Sequence, residues 1–269
     1  VGIAILIALL CDAITDPFMG YVSDNFHSKW GRRHPFMYVS IIPIAVAYFF
    51  LWNPPESFGD MGMFFYLLLL AITIRTLLTI YEVPSMSLIP ELSSGYDERT
   101  TIVGLRFFFG WFAGIVISVI AFVFFLRPTD TDPTGFFNEA GYGHYGLVAA
   151  CMIFVAMTIS AVGTHHRIPY LKPAPPKRHM TPMLIFREIF ETLSDRSFVA
   201  IFLAALFGSI ATGISGGMSS YLNGFFWGFN TDQNAILNLS LVISAAMALV
   251  LSGLVTRTLG KRNGALIVG

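Results

Sequence analysis

Five ionisable residues sit inside long apolar runs: Asp12, Asp16, Arg75, Glu82 and Arg106. A charge in the middle of a hydrocarbon-spanning helix is costly, so such residues face a bundle interior and mark a path for an ion, a proton or a polar solute. Asp12 and Asp16 are one helical turn apart and stack on one face. Two carboxylates that close in a low dielectric cannot both stay ionised without a cation or a proton, so the pair predicts a place that takes up positive charge. Glu82 follows Arg75 by two turns and projects from nearly the same face. For Arg75 and Arg106 the competing reading is a salt bridge that only holds helices together. Each acid also precedes a proline closely, Asp16-Pro17 and Glu82-Val83-Pro84. Proline frees the carbonyl four residues earlier, here that of Ala13 and of Ile80. Freed carbonyls beside carboxylates are oxygen ligands for a small cation in discontinuous membrane helices, and a purely structural kink is the alternative.

The elements that must carry these residues are membrane helices. Of 269 residues, 55% are hydrophobic and only 12% charged, where a soluble domain carries roughly 25% charged residues. That composition excludes a water-soluble globule and a disordered chain. Seven stretches are long and apolar enough to cross a bilayer: Val1 to Val22, Pro35 to Trp52, Met61 to Pro90, Thr100 to Leu126, Tyr145 to Val162, Phe198 to Phe226 and Gln233 to Thr256. Turn formers fill the links, including Asn53-Pro54-Pro55 and Pro128 to Gly146. No alternating ten-residue strands of the barrel kind occur, so the fold class is all-α, a polytopic helix bundle. Val1 in place of Met, and an apolar run cut at Gly269, are expected of a piece of a longer membrane protein.

Lys and Arg mark cytoplasmic loops. The odd-numbered links hold Lys29, Arg32, Arg33, Arg99, Arg167, Lys172, Lys177, Arg178, Arg187, Arg196, Arg257, Lys261 and Arg262, and the even-numbered links hold only Arg127. The first span therefore ends in the cytoplasm at Asp24. The longest link, 163–197, separates residues 1–162 from 198–269 and reads as a cytoplasmic connector between two helical lobes. Within it, Met183 to Leu193 has the periodicity of an amphipathic helix lying on the membrane, or of a plain linker helix. Equal numbers of acids and bases, 16 each, give no field to attract nucleic acid. Cys11 and Cys151 have neither disulfide nor metal-site spacing. Gly110, Ala113, Gly114, Ala204, Gly208, Gly213 and Gly217 are read as helix-packing residues.

The loop Gly20-Tyr-Val-Ser-Asp24 followed by Lys29-Trp-Gly-Arg32-Arg33 resembles the link between the second and third helices of the major facilitator superfamily. More narrowly, Asp12-Ala-Ile-Thr-Asp16-Pro17-Phe-Met19-Gly20, with Glu82-Val-Pro84, Ser87-Leu88-Ile-Pro90 and Arg106-Phe-Phe108, is similar to the glycoside-pentoside-hexuronide:cation symporters. The resemblance implies helices two to eight of twelve, with Thr256 to Arg262 as a weaker echo of the Gly20 loop. It implies cation binding by Asp12, Asp16, Thr79 and Glu82, and solute binding by Glu82, Arg106 and the Met86 position. The coupling ion would be Na+ or H+, with no cofactor and no other metal. Three departures stand out. The family's sugar permeases often have Asp where this chain has Glu82. Met86 replaces a tryptophan found in the family, and the family's arginine one turn before the first aspartate is Leu9, so Arg75 is expected to supply the compensating charge from a neighbouring helix. Asp24, Arg32 and Arg33 are expected to form a gating cluster that clamps the lobes, or else a solvated turn with ordinary positive-inside charge.

The function expected from these residues is cation-coupled symport of a small polar solute, a sugar or glycoside, by a monomer in the plasma membrane, the inner membrane in a bacterium. A lysophospholipid-like transporter and a non-transporting sensor of the same architecture are the alternatives. A membrane prenyltransferase would need a second aspartate-rich helix, and the sequence has none. Gly213-Ile-Ser215-Gly216 imitates a serine protease motif, but no histidine follows His179 to serve as its base.

Overall fold

A computed structural model describes residues 2–55, 57–93, 95–129, 135, 138–171, 187, 191–244, 247, 251, 255 and 258. The described residues are helical with no strand. Helices α1 (Gly2–Asn25), α2 (His34–Trp52), α3 (Asp60–Leu92), α4 (Tyr96–Ile120), α5 (Glu139–His165) and α6 (Arg196–Tyr221) are followed by α7, residues 231–244. Wide π-turns, Ala121–Phe125 and Leu222–Phe226, finish α4 and α6. Six helices are long and apolar enough to cross a membrane, and they match the first six expected spans to within a few residues at most ends. The seventh expected span is helical at its start, and much of its second half lies outside the described residues. The same holds for Met183 to Leu193, apart from 187 and 191–193, and for the Thr256 to Arg262 echo, apart from Thr258. Residues 1–174 with 231–269 form one compact unit, and residues 175–230 form another.

Apolar composition all round each helix puts most large hydrophobic side chains outward, where lipid is their solvent. The buried core is correspondingly thin and lies where α2, α3 and α5 meet, in Met37, Ile41, Ile44, Tyr81, Leu88, Met157 and Ala161. Tyr81 donates across this core to the carbonyl of Met157, 3.2 Å. At its cytoplasmic edge Tyr38 pairs with His165 Nδ1 at 2.8 Å, and His34 Nε2 with Thr164 Oγ1 at 3.1 Å, tying α2 to α5.

Two local expectations are corrected. α1 runs unbroken through Pro17, and α3 through Pro84 and Pro90, so Asp12, Asp16 and Glu82 are carried by continuous helices. In a membrane bundle, neighbouring side chains and local adjustment tolerate an internal proline without ending the helix. Secondly, Gly141, Gly143 and Gly146 belong to α5 rather than to the preceding link. Asn138 caps the helix by accepting from Gly141 N at 3.1 Å, and its amide donates to the carbonyls of Phe125 and Arg127 at 3.3 and 3.2 Å. The glycines serve close approach: a Cβ on Gly146 would overlap Cβ of Trp52, and one on Gly143 would lie 2.9 Å from Asn53 Oδ1. Trp52 in turn stacks on Tyr142, with centroids 5.4 Å apart, and meets Tyr145 edge-on at 5.1 Å. Gly146→Leu is therefore expected to cost about 1–3 kcal/mol by overpacking this seam. Gly163→Leu, where a Cβ meets nothing within 4 Å, should stay within about 0.5 kcal/mol. Thermal unfolding of the two variants in detergent checks the contrast.

The small residues expected to pack helices behave differently. Added Cβ atoms on Gly110, Gly114, Gly208, Gly213 and Gly217 would meet no described atom within 4 Å. Gly110 and Gly114 instead line the cavity described next.

Candidate functional site

α1 and α3 pack in register, with Asp12, Asp16 and Gly20 of α1 each meeting the residue 63 places on. Arg75 pairs with Asp12 Oδ2 through both Nε and Nη2. One turn further, Thr79 Oγ1 donates to Asp16 Oδ1 at 2.8 Å. Another turn on, Gly20 brings the backbone of α1 close, a Cβ there lying 3.8 Å from Val83. A constant offset means the two helices run parallel, as two odd-numbered spans must.

Asp16 and Arg75 lie on the exposed side of this seam, and Asp12 and Thr79 on its shielded side. The Thr79 residue is 6% exposed and the Asp12 side chain 13%. Asp12 Oδ1 is buried without a hydrogen-bond partner among the described residues. A buried carboxylate oxygen left unpaired is expensive, which makes it a point where a cation or proton is favoured. The oxygen donors that a cation would find here are Asp12 Oδ1, the Asp16 carboxylate and Thr79 Oγ1. The seam brings Asp12, Asp16, Thr79 and Arg75 together, with Arg75 paired to Asp12 and Thr79 to Asp16.

Glu82 and Arg106 belong to a different place. Their side chains approach to 3.6 Å, and Arg106 Nη1 donates to Ser85 Oγ at 2.9 Å. Both line a cavity of about 730 Å³, with Ser85, Trp111, Ser160 and Asn238 among its polar and aromatic neighbours. The volume lies within the range of small-molecule sites. Asp12, Asp16 and Thr79 do not line it, and neither does Met86. The expected Met86 contact is thereby corrected. At roughly 100° per residue, Met86 lies about 40° around the α3 axis from Glu82 and about 140° from Tyr81, at the edge of a lining face that runs through Tyr81, Glu82 and Ser85. Sequence reading passed over Ser85, Trp111 and Asn238. Ser85 was within reach of it, as a polar residue one turn beyond Glu82 on the same helix.

At the C-terminal ends of α1 and α3 Asp24, Arg32 and Arg33 come together, with Glu91 beside them. Arg33 Nη2 meets Asp24 Oδ1 at 2.9 Å, and Arg32 Nη1 reaches the same oxygen at 3.8 Å. Glu91, near the end of α3, pairs with both arginines, with Arg33 Nη1 at 3.0 Å. Arg33 also donates to the Ser87 carbonyl. The side chains of Arg33 and Glu91 are only 6% and 7% exposed, which is not a solvated turn. The link between α1 and α2 that carries Arg32 and Arg33 turns at Gly31, whose φ of +76° places it in the left-handed region. Glu91 was not singled out from sequence. Its signal is an acid at a cytoplasmic helix end facing an Arg-Arg pair.

The sequence matches, over residues 1–269, the family described as MFS/sugar transport protein. The chain belongs to this MFS/sugar transport family. An MFS chain with six membrane-length helices is a multi-pass membrane protein. An uncharacterised symporter of Synechocystis is 30% identical over 189 residues, 68% of this chain and 34% of its own length. The isoprimeverose transporter of Lactiplantibacillus pentosus is 29% identical over 160 residues, 59% of this chain and 32% of its own length. The sodium-dependent lysophosphatidylcholine symporter 1-A of Danio rerio is 32% identical over 110 residues, 40% of this chain and 20% of its own length. The MFS chain therefore spans about a third of the length of the first two relatives. Their names bear out the resemblance to the glycoside-pentoside-hexuronide:cation symporters.

Proposed function

We propose that this MFS chain is the cation- and solute-binding part of a monomeric symporter, which moves a sugar or glycoside with Na+ or H+ by alternating access of two lobes, 1–162 and 198–269. The observation that carries the reading is the double duty of α3. Thr79 meets the acid of α1, while Glu82 and Ser85, one and two turns later, face the cavity. A cation drawn to the Asp12/Asp16 seam changes the charge on the same helix that presents Glu82 to solute, so binding of one shifts binding of the other by the same factor. The Glu82–Arg106 pair offers an acceptor and a planar donor to adjacent sugar hydroxyls. The Asp24, Arg32, Arg33 and Glu91 cluster acts as a latch, formed in one conformation and open in another.

A second reading has an observation of its own. Phe107, Phe109, Trp111, Ile115 and Leu241 also line the cavity, and the zebrafish relative's name refers to a lysophospholipid, which favours an amphiphile. The test is uptake into vesicles carrying the full-length protein, with sodium and pH gradients imposed separately, against labelled sugars, glycosides and lysophosphatidylcholine. Gradient-driven accumulation of a sugar or glycoside supports the first reading. Accumulation of lysophosphatidylcholine alone replaces it with the second, and uptake indifferent to both gradients overturns cation coupling.

A further inference from the structure

The four tryptophans of the chain do not share one situation. Trp30, in the link between α1 and α2, meets Tyr38 edge-on at 5.8 Å. Trp52, the last residue of α2, stacks on Tyr142. Trp227, just beyond the π-turn that finishes α6, meets Phe226 at 4.9 Å. All three lie at or beyond helix ends, where an indole keeps its ring in the bilayer and its N–H near water. Trp111 instead stands at the middle of the helical stretch 96–125, a depth at which an indole N–H facing lipid would find no acceptor. It is 62% exposed, and neither another ring nor a hydrogen bond engages it among the described residues. What it borders is the cavity that holds Glu82 and Arg106.

The surroundings leave that indole accessible. Phe107, Trp111, Gly114 and Ser118 recur at helical spacing and line the cavity together. A Cβ on Gly110 or Gly114 would meet nothing within 4 Å. Along α4, Trp111 lies five residues beyond Arg106, a rise of about 7.5 Å. A pyranose whose hydroxyls pair with Glu82 and Arg106 spans that rise with its ring. The C–H bonds on one face of a pyranose are weakly positive and the face of an indole is negative, so the two attract when stacked. An open-chain polyol with the same hydroxyls presents no such face.

We propose that Trp111 is a specificity residue of the solute site, the platform on which a pyranose lays its apolar face while Glu82 and Arg106 hold its hydroxyls. This rests on the sugar-symport reading above and adds to it the residue that selects a closed ring over an open chain.

The test is uptake into vesicles carrying the full-length protein, with labelled galactose, glucose, xylose and their methyl glycosides as closed rings. Galactitol, glucitol and xylitol serve as open-chain competitors. Trp111→Ala should raise the KM of the accumulated pyranose roughly 3- to 10-fold, the worth of one ring-face contact, with Vmax little changed and the matching polyol competing as before. Trp111→Phe keeps a smaller ring face, so its KM should fall between, and the tryptophan fluorescence change that the pyranose causes in the wild type should be lost. Gly114→Leu places a side chain in the empty space beside the indole. It should raise KM as Trp111→Ala does without lowering Tm, and it keeps the test decisive if Trp111→Ala fails to insert. An unchanged KM in Trp111→Ala or Gly114→Leu, a polyol weakened by the same factor as the pyranose, or a fluorescence response kept by Trp111→Phe overturns the inference. A wild type that accumulates no pyranose under either gradient overturns the sugar reading itself, a different result from any of these.

Discussion

Asp16→Asn is expected to abolish the dependence of uptake on the cation gradient. The amide oxygen can still accept from Thr79, so the shape of the seam and its 2.8 Å hydrogen bond survive while the charge does not. Asp12 then remains only as the partner of Arg75, and the seam is neutral without a cation. With coupling free energies of about 1–3 kcal/mol, gradient-driven accumulation should fall roughly 5- to 150-fold. Solute exchange down its own gradient should persist. Thr79→Val separates the hydrogen bond from the charge, and its effect should be nearer about 0.5–1.5 kcal/mol, since it removes a neutral donor. Initial rates and steady-state accumulation in vesicles, measured with and without an imposed sodium or proton gradient, decide the matter. Full coupling retained by Asp16→Asn would move the cation site elsewhere.

Arg33→Ala is expected to have the largest effect on stability. Its guanidinium joins Asp24 on α1 to Glu91 and the Ser87 carbonyl on α3, and its removal leaves Glu91 with Arg32 alone. Taking one partner from a buried ion pair costs about 3–5 kcal/mol, so the variant should unfold in detergent at a markedly lower temperature. Arg33→Lys should recover only part, because an ammonium cannot span three acceptors with a planar fork. Glu91→Gln provides the complementary measurement. It should destabilise less than Arg33→Ala, since the amide still accepts from the arginines. Equal melting of wild type and Arg33→Ala would remove the latch.

The site was partly legible before any coordinates. Asp12 and Asp16 were conspicuous because a charge inside an apolar run breaks a pattern that needs no partner to be seen. Arg75, Glu82 and Arg106 were conspicuous for the same reason. Their partners were not, because a pair such as Asp12 with Arg75 depends on how two helices slide past one another. Glu91 was overlooked because an acid at a helix end breaks no pattern, and only its contact with Arg32 and Arg33 gives it meaning. Resemblance implies a solute contact for Met86, which lies at the edge of the α3 lining face, one turn beyond Glu82 and outside the cavity wall.

Sequence alone determined what is local: that apolar runs become helices, since backbone groups in lipid must pair within the segment. Tertiary structure decided what depends on register. The offset of 63 residues between α1 and α3 selects Arg75 for Asp12 and Thr79 for Asp16. Gly141, Gly143 and Gly146, turn formers by composition, became close-contact positions of α5 because the Phe125 carbonyl lies against the first and Trp52 and Asn53 against the other two. Hydrophobicity is non-directional and fixes that a helix is buried in lipid, whereas sub-ångström packing and paired charges fix which residue it meets.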